Sequence, residues 1–218
     1  MSGVPFALLR HAPTAWNAAG RLQGLTDTAL SVAGEAAARG WRLPAPADGW
    51  RRQSSPLGRA RRTAELIRPA APVTVDSRLR EMSFGDWEGR SLVDLRAKGG
   101  AAFAEAESKG LDFQPPGGES PRSAMARLGG WTAEIAQTGE PVAAVAHKAV
   151  IRALLALATG WDMTGKPPMR LDWRSVHFFL AHEDGSVAVE RLNVPLTVEA
   201  QPDVGQLDVG ALNVGVGA

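Results

Sequence analysis

The chain has 218 residues, of which 44% are hydrophobic, and its 24 Lys and Arg residues nearly balance its 23 Asp and Glu residues. This length suffices for one large or two small domains with a sizeable core. The net charge of +1 gives no overall cationic field, so composition does not indicate a nucleic-acid or membrane partner. Cys and Tyr are absent, which excludes disulfides, Cys-ligated metals, a thiol nucleophile and phenol chemistry.

The sequence shows no targeting or membrane signal. The apolar stretch at residues 4–9 is short and follows no basic region, unlike the apolar core of a signal peptide. No segment approaches the roughly 20 consecutive apolar residues that a spanning helix needs. We therefore expect a cytoplasmic protein, and the sequence leaves open whether it forms a homodimer.

Short apolar segments alternate with amphipathic ones along the chain. Strands are predicted at residues 6–9, 73–75, 142–146, 176–180 and 187–189. Helices are predicted at residues 31–39, 58–68, 120–138 and 148–159, with Ser, Pro or Gly at their boundaries. This alternation predicts an α/β three-layer sandwich with a mostly parallel central sheet and helices on both faces.

Three regions depart from the alternation. Residues 175–191 resemble a hairpin with its turn at residues 183–185. Residues 91–118 are charged, helix-prone and interrupted by Gly, and predict a small helical lid at one edge of the sheet. Residues 196–218 are rich in Gly and predict a C-terminal extension to a catalytic domain at residues 1–195.

Unusual polar residues stand at three strand-to-helix junctions. Arg10 and His11 end the first strand, Arg59 follows residues 54–56 on the next helix, and His147 precedes the last clear helix. Ligands of open α/β sheets bind beyond the carboxyl ends of the strands, and a helix N-terminus favours an anion. Together, these junctions predict a phosphate site that uses no metal.

Each of these features also has a structural interpretation when it is considered alone. A His at a strand end is more often structural, and the arginines at positions 51, 52, 59, 61 and 62 resemble an ion-paired surface. For His177, within an apolar strand, and His182, near its turn, the structural interpretation is favoured. The combination of junctions, rather than any one residue, indicates a functional site.

Five motifs in chain order resemble those of the histidine phosphatase superfamily, also called phosphoglycerate mutase-like, and the resemblance covers residues 4–195. The motifs are LLRHAPTAWN at 8–17 with GRLQG at 20–24 and TALS at 28–31, SSPLGRARRTAE at 54–65, LREMSFGDWEG at 79–89, PGGES at 116–120 and VAHKAVIR at 145–152. Five ordered motifs are far more specific than one.

The resemblance implies a role for the residue at each matching position. His11 would be the nucleophile that becomes phosphorylated, and Arg10, Arg59 and His147 would hold the phosphoryl oxygens. Glu81 would donate a proton to the leaving oxygen. This assignment agrees with the chemistry of the reaction. Fixed cations stabilise the anionic transition state, an imidazole attacks only when it is neutral, and the acid must carry a proton when the ester oxygen leaves.

The resemblance also implies that Asn17 contacts the phosphoryl oxygens, and we expect further substrate contacts by Gln23, Gly24 and Lys148. The sequence departs from the family pattern at two places. Ala12 replaces the usual Gly after the nucleophile, and Lys148 and Ala149 replace a Gly pair after the second His. Lys148 either adds a substrate contact or points to solvent.

These observations predict a metal-independent phosphomonoesterase, without a cofactor, that hydrolyses a small phosphorylated metabolite through a phosphohistidine. The short insertion after the acid segment and the PGGES element favour the phosphatase branch of the family. The alternative enzyme is a phosphoglycerate-type mutase. A further alternative is a protein that is not an enzyme, namely a non-catalytic sensor of a phosphorylated ligand. A sensor would not need a proton donor, so the presence of Glu81 argues against this alternative.

Overall fold

A computed structural model describes residues 3–68 and 71–198. The strands are β1 Val4–Arg10, β2 Trp41–Arg42, β3 Arg51–Ser54, β4 Thr74–Val75, β5 Val142–Ala146, β6 Ser175–Ala181, β7 Val187–Pro195 and β8 Thr197–Val198. The helices are α1 Ala15–Ala18, α2 Val32–Gly40, α3 Gly58–Ile67, α4 Leu92–Ser108, α5 Pro121–Thr138 and α6 Lys148–Thr159.

Six strands form one central sheet in the order β4-β3-β5-β1-β6-β7. The strands β4, β3, β5 and β1 run parallel to one another, whereas β6 and β7 form an antiparallel hairpin at one edge. The predicted, mostly parallel sheet and the predicted hairpin are therefore both confirmed.

Helices cover both faces of the sheet, and alternate residues of β1 show how. Phe6 and Leu8 face a core formed with α5 and α6. Ala7 and Leu9 lie on the opposite face in a second core formed with α3. Successive side chains of a strand point to opposite faces, so a strand buried on both faces is apolar throughout. The three-layer arrangement is confirmed.

Strand β3 contains no apolar residue, and apolar patterning does not identify it. Gln53 is buried and its Oε1 accepts a hydrogen bond of 2.6 Å from Nε1 of Trp131. Arg52, which the sequence assigned to an ion-paired surface, is only 6% exposed and pairs with Asp48 at 3.4 Å. Arg52 and Gln53 are thus each buried together with a polar partner, as is usual for buried polar groups.

The predicted lid at residues 91–118 contains the helix α4, which is kinked at Gly100, where φ is 51°. Its underside carries Phe103, whose ring lies 5.0 Å from Trp87, and Phe113 lies 5.5 Å from the same indole. This aromatic cluster fixes the lid to the segment that carries the predicted acid. Among the described residues, no helix is both long enough and apolar enough to cross a membrane.

The predicted C-terminal extension begins inside the ordered fold. Strand β8, which lies just beyond the predicted domain boundary at 195, pairs with β2 in an antiparallel two-stranded sheet. Residues 197 and 198 therefore pair with residues that precede the predicted boundary. The remainder of the predicted extension, residues 199–218, lies outside the described residues.

The hydrogen bond between Trp131 and Gln53 gives a test of the core. Replacing Trp131 by Phe leaves Oε1 of Gln53 buried without a donor, so the free energy of unfolding should fall by about 1–3 kcal/mol. Urea denaturation measures this loss. Adding Gln53→Leu to the variant should restore part of it, and Trp50→Phe, which removes no side-chain hydrogen bond, should cost less.

Candidate active site

The site lies where three parallel strands end side by side. The backbone N–H of His11 donates to the carbonyl of Ala146 at 3.0 Å, and the N–H of Ser55 donates to the carbonyl of Val145 at 3.0 Å. These bonds continue the sheet register by one residue beyond β1 and β3. His11, Ser55 and His147 are thereby brought to one edge, as the strand junctions predicted.

His11 is nearly buried and has a defined tautomer. Its Nδ1 lies 2.8 Å from the carbonyl oxygen of Ala12, whose own N–H donates to Oγ1 of Thr63. A carbonyl only accepts, so Nδ1 carries the hydrogen and Nε2 keeps its lone pair. Burial, together with Arg10 and Arg59, lowers the pKa of His11 to about 3. His11 is therefore a neutral imidazole with a free nucleophilic nitrogen.

His147 lies behind His11, with ring centroids 5.2 Å apart, and is completely buried. Its Nε2 is 2.7 Å from Oγ of Ser55, and that oxygen accepts a hydrogen bond from the N–H of Leu57. The Ser55 hydroxyl hydrogen is thus available to Nε2, which favours the tautomer with hydrogen on Nδ1. Nδ1 has no partner among the described residues, so it can donate to a phosphoryl oxygen.

The pKa of His147 lies well below its usual value, because burial and then the neighbouring His11 and arginines disfavour its charged form. It acts as a neutral hydrogen-bond donor. Ser55, which sets this tautomer, was not among the predicted site residues. Its signal in the sequence was its position at the strand-to-helix junction of residues 54–56.

Arg59 is only 1% exposed and is held by backbone carbonyls. Its guanidinium donates to the carbonyl of Thr26 at 2.9 Å and to that of Gly24 at 2.7 Å, and Asp27 lies 3.7 Å away. Gly24 has a φ of +56°, and a Cβ there would come within 2.0 Å of Glu88. Gly24 therefore supports Arg59. The sequence predicted that Gly24 contacts the substrate, but it is not among the residues that line the cleft.

Glu88 organises the loop that holds Arg59. Its carboxylate accepts from the N–H groups of Leu25 at 2.9 Å, Thr26 at 2.8 Å and Phe84 at 3.1 Å, and from the Thr26 hydroxyl at 2.6 Å. These bonds lower the pKa of Glu88 despite the opposing effect of burial. The residue belongs to a recognised motif, but the sequence assigned it no role.

Glu81 is buried, with 7% of its surface exposed. Oε1 accepts from the N–H of Met82 at 3.0 Å, and Oε2 accepts from the N–H of Ala149 at 3.4 Å. Burial raises the pKa of Glu81, and this outweighs the opposing effects of the two hydrogen bonds, Arg59 and Arg10. A carboxyl group that keeps its proton to higher pH is suited to protonating a leaving oxygen.

A cleft of about 620 Å³ opens beside these groups. Two of the predicted site residues, His147 and Gly24, are not among its lining residues. The ring of His147 lies beside that of His11, and Gly24 accepts a hydrogen bond from Arg59. The other seven predicted residues line the cleft: Arg10, His11, Asn17, Gln23, Arg59, Glu81 and Lys148.

Two amide side chains line the cleft with their oxygens already engaged. Oδ1 of Asn17 accepts from the N–H of Thr14 at 3.0 Å and caps the short helix α1. Oε1 of Gln23 accepts from the hydroxyls of Thr14 at 3.2 Å and Thr28 at 2.6 Å. Their amide N–H groups are therefore the ones that can donate to a ligand oxygen.

Lys148 replaces the family's usual Gly, and the structure places it on the cleft wall. Its Nζ lies 5.0 Å from the ring centroid of Trp173. The sequence left open a substrate contact or a solvent-facing position, and the observed position allows the contact. Among residues 3–68 and 71–198, no three His, Asp or Glu side chains converge in a way that could hold a metal ion.

The lowered pKa of His11 predicts how stability depends on pH. In the unfolded chain, His titrates near 6.5, whereas in the folded chain His11 titrates near 3. Between these values the unfolded state binds more protons, so the contribution of neutral His11 to stability is lost as the pH falls. The variant His11→Asn should therefore lose less stability than the wild type between pH 7 and pH 4.

Urea denaturation at the two pH values measures this difference. The variant Arg61→Gln, at an exposed position of α3, should behave like the wild type. Equal losses in the wild type and His11→Asn would contradict the assignment of His11 as a buried neutral imidazole.

Comparison with known proteins places this geometry in a family. The sequence model of the histidine phosphatase superfamily (branch 1) matches residues 6–195. A 2,3-bisphosphoglycerate-dependent phosphoglycerate mutase from Methylobacterium sp. (strain 4-46) is 32% identical over 206 residues, which cover 89% of this chain and 94% of the relative. A 2-carboxy-D-arabinitol-1-phosphatase from Triticum aestivum is 35% identical over 158 residues, covering 70% of this chain and 32% of the relative.

Among solved structures, a mycobacterial glucosyl-3-phosphoglycerate phosphatase superposes with a TM-score of 0.70 and 28% identity, covering 88% of this chain and 99% of that one. The sequence motifs, the three-layer fold and the His11 site thus agree with the family match. The chain belongs to branch 1 of the histidine phosphatase superfamily.

Proposed function

We propose that the protein is a metal-independent phosphomonoesterase that hydrolyses a small phosphorylated metabolite through a phosphohistidine on His11. The observation that carries this proposal is a buried, neutral imidazole with a free Nε2 beside two guanidiniums and a carboxyl group of raised pKa. The members of the family are phosphatases or mutases.

In the first step, Nε2 of His11 attacks phosphorus and the bond from phosphorus to the ester oxygen breaks. Glu81 gives its proton to that oxygen, which leaves as an alcohol. Arg10, Arg59 and Nδ1 of His147 donate to the phosphoryl oxygens and stabilise the charge that spreads over them in the transition state. In the second step, Glu81 takes a proton from water, which attacks phosphorus, and the phosphorus–nitrogen bond breaks.

The cleft supports hydrolysis as the second step. A volume of about 620 Å³ leaves space for water beside a small alcohol, since each water occupies roughly 30 Å³ in the liquid. The solved mycobacterial phosphatase, which superposes over most of this chain, is consistent with that reaction.

A phosphoglycerate-type mutase is the second candidate, because a relative named as such a mutase is matched over 94% of its length. Incubation with 3-phosphoglycerate and a catalytic amount of 2,3-bisphosphoglycerate, on which the named relative depends, separates the two activities. A phosphatase releases one inorganic phosphate per glycerate formed, whereas a mutase produces 2-phosphoglycerate without releasing phosphate. A non-catalytic sensor would give neither product.

The phosphohistidine intermediate gives the direct test of the mechanism. Brief reaction with a 32P-labelled ester in EDTA should leave acid-labile label on His11, because the mechanism involves no metal. The variant His11→Ala should show no label and no turnover while retaining the wild-type circular dichroism spectrum. Turnover by the variant, or a requirement for added divalent metal, would contradict the proposal.

The role of Glu81 depends on the leaving group. An alkoxide needs a proton far more than a nitrophenolate does, so Glu81→Gln should lower kcat about a hundredfold or more on an alkyl phosphate and much less on nitrophenyl phosphate. Arg59→Ala is the matched comparison. It should impair both substrates similarly, because Arg59 holds the phosphoryl group that they share. Equal losses on both substrates in Glu81→Gln would show that Glu81 is not the donor.

A further inference from the structure

Two cations on one wall of the cleft have no carboxylate partner among the described residues. Lys148 and Arg152 lie on α6, four residues apart, and therefore on the same side of the helix. Nζ of Lys148 lies over the ring of Trp173, and Cζ of Arg152 lies 4.8 Å from the ring centroid of Trp161.

Another cation of the same cleft shows the contrast. Arg96 of α4 forms hydrogen bonds with both carboxylate oxygens of Glu107, the shortest being 2.6 Å. Its charge is already neutralised within the wall. Lys148 and Arg152 are held only by aromatic faces, which orient a cation without cancelling its charge.

The charges near Lys148 make this arrangement costly without a ligand. Like charges four residues apart on a helix repel each other, and Arg10 adds a third positive charge. Burial, Arg10 and Arg152 all lower the pKa of Lys148, and Glu81 is the acidic group that opposes them. Because burial raises the pKa of Glu81, its carboxyl group is a weak counterion. A bound anion would relieve the repulsion.

This position is distinct from that of the transferring phosphoryl group. That group meets His11, Arg10 and Arg59 at the strand ends. Arg152 lies four residues along α6 from Lys148, which is about 6 Å along the helix axis. An anion between Lys148 and Arg152 would therefore belong to the alcohol part of the substrate.

We propose that Lys148 and Arg152 form a second anion subsite and that the preferred substrate is a phosphate monoester whose alcohol carries another acidic group. This inference rests on the proposed function, because it assigns the leaving part of the substrate to the α6 wall. The acidic group is a carboxylate or a second phosphate, which share the charge that the two side chains recognise.

Three esters of similar length test the subsite. Propyl phosphate has no second charge, 3-phosphooxypropanoate carries a carboxylate, and 1,3-propanediol bisphosphate carries a second phosphate. Hydrogen bonds to charged groups predict that the wild type favours at least one acidic ester by about tenfold or more in kcat/KM over propyl phosphate. The preferred ester distinguishes carboxylate from phosphate.

The variants measure where that preference originates. In the double variant Lys148→Gln/Arg152→Gln, the ratio of kcat/KM between the acidic ester and propyl phosphate should fall toward one. The control Arg96→Gln/Glu107→Gln removes a neutral ion pair from the same cleft, so it should keep the wild-type ratio. In the wild type, the ratio should also decrease with added salt.

The outcomes separate this inference from the proposed function. Hydrolysis of all three esters with equal kcat/KM, or an unchanged ratio in the double variant, would overturn the subsite and leave the phosphatase intact. Absence of all hydrolysis would overturn the phosphatase. In that case, calorimetry of the binding of the same esters tests the subsite. Tighter binding of an acidic ester than of propyl phosphate, with the difference lost in the double variant, would support the subsite. Equal binding of the three esters would overturn it.

Discussion

The parallel pairing of β5 with both β1 and β3 is the constraint on which the site depends. One register places Arg10 opposite Ala146, and another places Ser54 opposite Val145. A shift of one residue would reverse every side chain between the two faces of the sheet and disrupt both cores. The packing that stabilises the sheet therefore also fixes the distance between the imidazoles of His11 and His147.

Arg59 is held largely by backbone carbonyls. Thr26 and Gly24 accept hydrogen bonds from its guanidinium, and the carboxylate of Asp27 lies 3.7 Å away. A buried cation is costly unless its donors have partners, and carbonyl dipoles supply such partners without adding a negative charge. The positive charge of Arg59 helps to lower the pKa of His11, and in the proposed mechanism it also stabilises the phosphoryl group.

The sequence predicted the architecture because most elements have apolar periodicity or clear boundary residues. It did not identify β3, since Arg52 and Gln53 are buried only because Asp48 and Trp131 offer partners that sequence spacing does not reveal. Among the site residues, seven of nine were placed on the cleft. Gly24 is not among the lining residues, and its conformational role could not be predicted because it depends on Glu88, which lies 64 residues later in the chain.

The cleft has walls of different origin. Arg10 and His11 come from the end of β1, which the sheet holds in place, and Arg59 comes from α3, whereas a helical wall formed by α4 and α6 includes Leu92 and Arg152. Substitutions on the helical wall change the shape and charge offered to the alcohol without disturbing the register of the strands. Gene duplication can therefore produce enzymes with new specificities in few mutational steps, while selection preserves one inherited chemistry.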